Sequence, residues 1–242
     1  MRAYRKFAWK DSNFRICSSC FDAITHEIMQ QRRLLESYID QHPDFRSALV
    51  PIGLATDAPL IVRRMQEAAV LTGVGPMAAV AGTIAQMAVK AALRLGAEEA
   101  IVENGGDLYI ASCEPIGVGL YAGRNPLASR LAFAVESAEL PLAVCSSSSK
   151  MGHSYSFGDC DLATVVSKNA SLADAAATLA CNLVKRPGDV DAVLERVGRI
   201  QGVDGVLLVK GDRVGLIGQL PQLVKNLDPE AGCKVTRDCR SR

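Results

Sequence analysis

Residues 100–112 read Ala-Ile-Val-Glu-Asn-Gly-Gly-Asp-Leu-Tyr-Ile-Ala-Ser. Two short apolar runs, Ala100–Glu103 and Leu108–Ser112, flank Asn104-Gly105, a dipeptide suited to tight hairpins because both residues tolerate positive φ. The same rhythm continues through Ile116–Tyr121, Leu131–Glu136 and Leu142–Ser146, so this middle portion reads as an antiparallel meander. Asp161–Ser167 adds a strand. Val206–Lys210 and Val214–Ile217 form a hairpin through Gly211-Asp212.

Helical patterns lie to either side. Tyr4–Trp9 and Phe14–Cys20 form an N-terminal hairpin around Asp11–Asn13. Thr25 then caps a helix to about Gln41, with Ile28, Leu34, Leu35, Tyr38 and Ile39 as its apolar face. His42-Pro43 ends it, since a residue before proline avoids the helical region. Asp57 and Pro59 open a second helix to about Leu71. Pro76 opens a long Ala-rich helix that closes at Gly96. Ser171–Lys185 and Val190–Ile200 complete the set. Strands and helices come in segregated runs, which predicts an α+β fold of mainly antiparallel sheets packed with helices. No linker-like stretch divides 1–242, so one domain is expected: N-terminal hairpin and helix 1–50, core 51–225, polar tail 226–242.

Composition narrows the function classes. A chain of 242 residues with 49% hydrophobic side chains can bury a sizeable core. Its 27 basic and 26 acidic residues leave a net charge of +1, which argues against nucleic acid as a partner. Aromatics are 5%, too few for base-stacking platforms. Residues 68–89 carry no charge and are long enough to cross a bilayer. They are dominated by Ala, however, and contain Gly73, Gly75, Pro76 and Gly82, so a buried helix is expected and no membrane span. The start of the chain has no apolar core of a secretory signal, so the expected location is cytoplasmic and its eight cysteines are expected to be reduced structural thiols. Cys17 and Cys20 form a CxxC, but on a strand their sulfurs would point to opposite faces, and no second CxxC completes a zinc set. A cysteine-based metal or redox protein is the weaker alternative.

Three segments concentrate chemistry. In Glu103-Asn-Gly-Gly-Asp107, paired glycines allow backbone N–H groups close to a ligand, and Asp107 offers an acceptor or metal ligand. A plain hairpin turn would explain the same residues. Cys145-Ser-Ser-Ser-Ser-Lys-Met-Gly-His-Ser-Tyr-Ser-Phe-Gly-Asp159 gathers hydroxyls, Lys150 and His153 in a glycine-punctuated loop suited to phosphate, or to a polar surface loop. In Ser171-Leu-Ala-Asp-Ala-Ala-Ala-Thr-Leu-Ala-Cys-Asn182, the polar residues Asp174, Thr178 and Asn182 recur every fourth position, on one helix face. A carboxylate with a hydroxyl one turn on is half a Mg²⁺ site. Ser171-x-x-Asp174 also reads as a capping box, which would occupy Asp174 locally.

At these residues the chain resembles the ApbE family, flavin transferases that move FMN from FAD onto protein threonines using Mg²⁺. The family's helix glycine and its Gly-Gly-Asp after a strand are matched by Gly82, Gly96 and Gly105-Gly106-Asp107. Its Thr-Ser-Gly strand end and following His look like Ser147, with its neighbours Ser146 and Ser148, and His153. Its Ala-Asp-x-x-x-Thr helix is matched by Ala173-Asp174 and Thr178. Gly75–Gly82, Glu103–Asp107, Gly152–Ser156 and Ala173–Thr178 are similar to a cytosolic ApbE-like branch.

The resemblance implies an ApbE-like fold, with Asp174 and Thr178 holding Mg²⁺. It implies FAD or FMN bound by Gly105, Gly106, Asp107, Ser146, Ser147, Ser148 and His153, with His153 and Asp174 catalytic. The implied partner is a small-molecule nucleotide ligand, and a homo-oligomer is left open. Three departures stand out. Ala81 occupies the place of the family's lysine, Gln86 that of an aspartate, and the Asp-Pro-x-Thr-Gly after the histidine is absent. The expected functions are therefore transfer or cleavage of FMN from FAD, or alternatively flavin or small-molecule binding without turnover.

Overall fold

The computed structural model describes residues 2–121, 125, 130–149, 158–226 and 236. It opens with β1 (Arg5–Trp9), β2 (Ser12–Ser18), α1 (Phe21–Gln41), α2 (Asp44–Ser47), α3 (Leu60–Thr72) and α4 (Val80–Arg94). Then come β3 (Ala100–Asn104), β4 (Asp107–Ala111), β5 (Ile116–Gly119), β6 (Leu131–Val135), β7 (Leu142–Ser147) and β8 (Leu162–Ser167). The remainder is α5 (Ala170–Leu183), α6 (Val190–Gly198), β9 (Gly205–Lys210), β10 (Arg213–Gly218) and β11 (Gln222–Lys225). The α+β expectation holds.

An eight-stranded antiparallel sheet runs in the order β1-β2-β3-β4-β7-β8-β9-β10. Its hairpin β3–β4 closes between Asn104 and Asp107 through Gly105 (φ +65°) and Gly106 (φ +110°), the backbone region where glycine is unstrained. The expected meander is interrupted here. β5 and β6 leave the main sheet and pair with β11 in a second, three-stranded sheet, and β7 returns to lie beside β4. The reason is burial. β3, β8 and β9 are buried at every position, so both of their faces need cover.

Two cores result. The helices cover one face, where Val102, Tyr109, Cys145, Val165 and Leu208 meet Ile28, Met65, Ile84 and Ala176. The small sheet covers the other, where Ile101, Ile110, Val144 and Leu207 meet Val118, Phe133 and Val135. The Ala-rich α4 lies within the first core, and 67% of the most apolar stretch from Pro76 to Arg94 is buried inside the protein.

The N-terminal boundaries differ from expectation. β2 ends at Ser18, whose Oγ accepts the Cys20 N–H at 3.1 Å and turns the chain. Cys20 therefore stands at the N-cap of α1, five residues before Thr25, which lies inside the helix and donates to the Asp22 carbonyl. The two CxxC sulfurs do diverge: Cys17 belongs to the sheet–sheet core, whereas Cys20 packs against the helical one. Cys17, Cys20, Cys113, Cys145, Cys160 and Cys181 are all free thiols.

Candidate functional site

The site grows from the seam between α4 and α5. Both helices are rich in alanine, so their backbones approach closely, and Gly82 marks the tightest point: a Cβ there would stand 2.4 Å from the Ala170 carbonyl oxygen. Polar groups fasten the seam. Thr83 Oγ1 lies 2.8 Å from Ser171 Oγ, and Gln86 spans the next turn. Gln86 Nε2 donates to the Lys168 carbonyl at 3.0 Å, while its Oε1 accepts the Ala170 N–H at 3.2 Å. Gln86 thus serves the start of α5, which Asn169 also caps through the N–H groups of Ser171 and Leu172. Replacing Gln86 with Leu should leave both backbone groups unpaired and lower stability by about 1–3 kcal/mol, read from the urea midpoint at unchanged slope.

Asp174 is consequently not tied up in a capping box of its own helix. Its Oδ2 accepts the N–H of Gly82 at 2.8 Å across the seam. Gly82 lies in the first turn of α4, where N–H groups lack intrahelical partners and the helix dipole favours negative charge. Even so, burial pushes the Asp174 carboxyl up to about 7, against the opposing pull of the Gly82 and Ala81 amides.

Asp107 faces the same layer from the sheet. It follows the hairpin turn, and the pairing of Leu108 with Val144 brings it opposite Cys145. Its Oδ1 accepts the Ser146 N–H at 3.3 Å. Burial, then the charge of Asp174, raises this carboxyl well above the usual aspartate range, while a hydrogen bond from Cys145 opposes the rise. The Cys145 thiol is itself held protonated by burial and by both carboxylates, and lies 3.7 Å from the Ala170 carbonyl. The structure thus brings together Asp107, Cys145 and Asp174 as a buried acidic group. Among the described residues neither carboxylate has an ion pair.

The other sequence candidates distribute as follows. Thr178 stands one turn beyond Asp174 on the same helix, half-buried. Ser146 points its side chain to the opposite face of the sheet, where its Oγ lies 2.9 Å from Thr164 Oγ1. Strand alternation turns Ser147 to the helical face, and Ser148 is buried. The Gly105 and Gly106 amides are engaged by Thr236 and Glu103 respectively. Lys150 and His153 lie outside the described residues. Cys145, one of the cysteines expected only as structural thiols, stands beside Asp107 because Leu108 pairs with Val144 in the antiparallel register. Among the described residues no group of three His, Cys, Asp or Glu side chains is arranged to hold a metal. A cation here would need oxygens beyond the protein's own carboxylates.

Comparison with known proteins agrees with this architecture. The family model described as "AbpE bacteria" matches residues 13–201. A UPF0280 protein of Methanococcus aeolicus is 41% identical over 202 residues, covering 82% of each chain. One from Methanothrix thermoacetophila is 44% identical over 197 residues, covering 81% of this chain and 82% of its own. Among solved structures, the apo flavinyl transferase ApbE of Pseudomonas stutzeri superposes with a TM-score of 0.59 at 13% identity, over 90% of this chain and 94% of that one. The ApbE protein of Thermotoga maritima gives 0.59 at 14% identity, over 88% and 96%. The chain therefore belongs to the ApbE-like family, alongside the UPF0280 proteins, and shares its α+β fold.

Proposed function

We propose that the protein binds a flavin nucleotide or a related phosphorylated ligand together with Mg²⁺ at the α4–α5 seam, and that it cleaves or transfers FMN from FAD there. The observation that carries this reading is the pair of buried carboxylates, Asp107 and Asp174, which have no ion pair among the described residues. Two such groups are costly to ionise together unless a positive ion enters. The oxygen-only set of Asp174 carboxylate and Thr178 hydroxyl suits Mg²⁺, which takes one or two carboxylates and completes its shell with phosphate and water. Bound there, Mg²⁺ would polarise phosphoryl oxygens and stabilise a leaving phosphate.

The chain's own residues supply position. Asp174 is fixed by the Gly82 N–H at the start of α4, and Gln86 and Asn169 hold the first turn of α5 that carries it. Asp107 is held by the Ser146 N–H and faces Cys145. The flavin transferases of similar fold lend the ligand class.

A second reading, ligand binding without turnover, draws on Ala81 and Gln86. Where the resemblance expects a lysine and an aspartate, this chain has a methyl group and an amide committed to the α5 backbone. Incubation with FAD and Mg²⁺ separates the two. Release of AMP, abolished in Asp174→Ala, supports the enzyme. A thermal shift with flavin and no AMP supports the binder. Intact FAD with no shift for any flavin removes both.

A further inference from the structure

The hairpin turn that presents Asp107 has no side chain of its own to pack. Nothing lies within 4 Å of a Cβ placed at Gly105, and the nearest atom to one at Gly106 is 3.6 Å away. Hydrogen bonds hold it instead. Glu103 Oε1 accepts the Gly106 N–H at 2.9 Å. Thr236 reaches the same place: its Oγ1 accepts the Gly105 N–H at 2.9 Å and lies 3.0 Å from both the Asn13 carbonyl oxygen and Glu103 Oε1. The Thr236 N–H adds a fourth contact, donating to Glu103 Oε1 at 3.2 Å.

One threonine therefore joins β2, β3 and the turn across more than 130 residues of sequence. Glu103 is buried, and among the described residues all of its hydrogen bonds fall on one oxygen, with Oε2 left without a partner. A buried carboxyl in that state depends strongly on the donors it has. Thr236 supplies two of the three: its N–H and its O–H. A hydroxyl is required because it must accept from Gly105 while donating to an oxygen.

We propose that Thr236 is a positioning residue: it latches the Gly105-Gly106 turn through Glu103 and so fixes where Asp107 enters the acidic group. The importance of that placement rests on the function proposed above; the latch itself does not. The site would thus include a contact from beyond residues 13–201, the span matched by the family model.

Amide hydrogen exchange on the full chain tests this without any ligand. In Thr236→Val, the Gly105 and Gly106 amides should exchange about tenfold faster, the equivalent of one net hydrogen bond. The amides of β8 should keep their protection, and Thr236→Ser should restore the wild-type rates. A chain ending at Asn226 should behave as Thr236→Val does. Unchanged exchange at the two glycines in either loss variant overturns the latch. So does uniform acceleration that includes β8, which would make Thr236 a general stability element. Calorimetric titration of the same proteins with Mg²⁺ then reads position: weaker binding in Thr236→Val, recovered in Thr236→Ser, supports the role, and unaltered affinity overturns it. Absence of Mg²⁺ binding to the wild type would refute the functional reading while the exchange rates still decide the latch.

Discussion

Asp174→Asn is expected to make the cation-free protein more stable than the wild type at pH 8, and to abolish its stabilisation by Mg²⁺. The Asp174 carboxyl is raised to about 7 in the folded chain, chiefly by burial. In the unfolded chain it titrates near the ordinary aspartate value of about 3.9. Between these values the folded protein holds a proton that the unfolded one has released. The stabilising contribution is therefore complete below the unfolded value and declines as pH rises through about 4 to 7. Above 7 the wild type carries a buried charge beside Asp107, whereas the asparagine variant carries none and can still accept the Gly82 N–H through its amide oxygen. The difference at pH 8 should be on the order of 4 kcal/mol, falling to about 1–2 kcal/mol at pH 5 and toward zero only below about pH 4. Urea unfolding at both pH values, with and without Mg²⁺, reads it. Mg²⁺ should raise the wild-type midpoint at pH 8 by binding the folded state alone, and leave the variant unmoved. Parallel pH profiles for the two proteins would refute the assignment of this titration to Asp174. A Mg²⁺ response surviving in the variant would move the cation elsewhere.

The contrast between what was and was not legible follows from the range of the interactions. Segregated runs and the Asn-Gly signal point to an α+β fold with antiparallel pairing, because periodicity and turn chemistry are local. The turn itself falls one residue later, on Gly105-Gly106, where Asn104 pairs with Asp107. The departure of β5 and β6 to a second sheet was not legible. Their alternation fits either sheet, and the deciding fact, that β3, β8 and β9 need cover on both faces, belongs to the assembled layers. A clue was present in the unbroken apolar runs of those strands. The same division governs the site. The fourfold spacing of Asp174 and Thr178 was visible on one helix. That Asp174 accepts from the start of another helix, and that Asn169 rather than Ser171 heads the cap of α5, are long-range outcomes of the α4–α5 contact. Likewise Gln86 looked like a missing acid, but its amide satisfies a donor and an acceptor at once, which a carboxylate cannot do. Thr236 carried no signal at all: a threonine in a polar tail acquires its role only where it meets Glu103 and Gly105.

Gly82→Ala should be among the most damaging single-methyl changes in the chain. The added Cβ would stand 2.4 Å from the Ala170 carbonyl oxygen, 3.0 Å from its carbon and 3.0 Å from Asp174 Cβ. These are largely backbone atoms, fixed by the caps of α5, so the helices must separate rather than a side chain rotate. Overpacking of this kind costs about 1–3 kcal/mol, and stretching the Asp174 contact to the first turn of α4 adds about 0.5–2 kcal/mol for the weakened cap. Gly188→Ala is the matched control: nothing lies within 4 Å of its Cβ and its φ is not positive, so its change should stay within about 0.5 kcal/mol. Urea midpoints at pH 5 give the comparison free of the Asp174 charge. The functional effect should exceed the stability effect, because the seam that separates is the one that aims Asp174 at Asp107. Mg²⁺ binding at pH 8 should be lost in Gly82→Ala even below its melting temperature and retained in Gly188→Ala. If Gly82→Ala proves as stable as Gly188→Ala, the close approach of α4 and α5 is not what holds the fold at this point, and the positional argument for Asp174 falls with it.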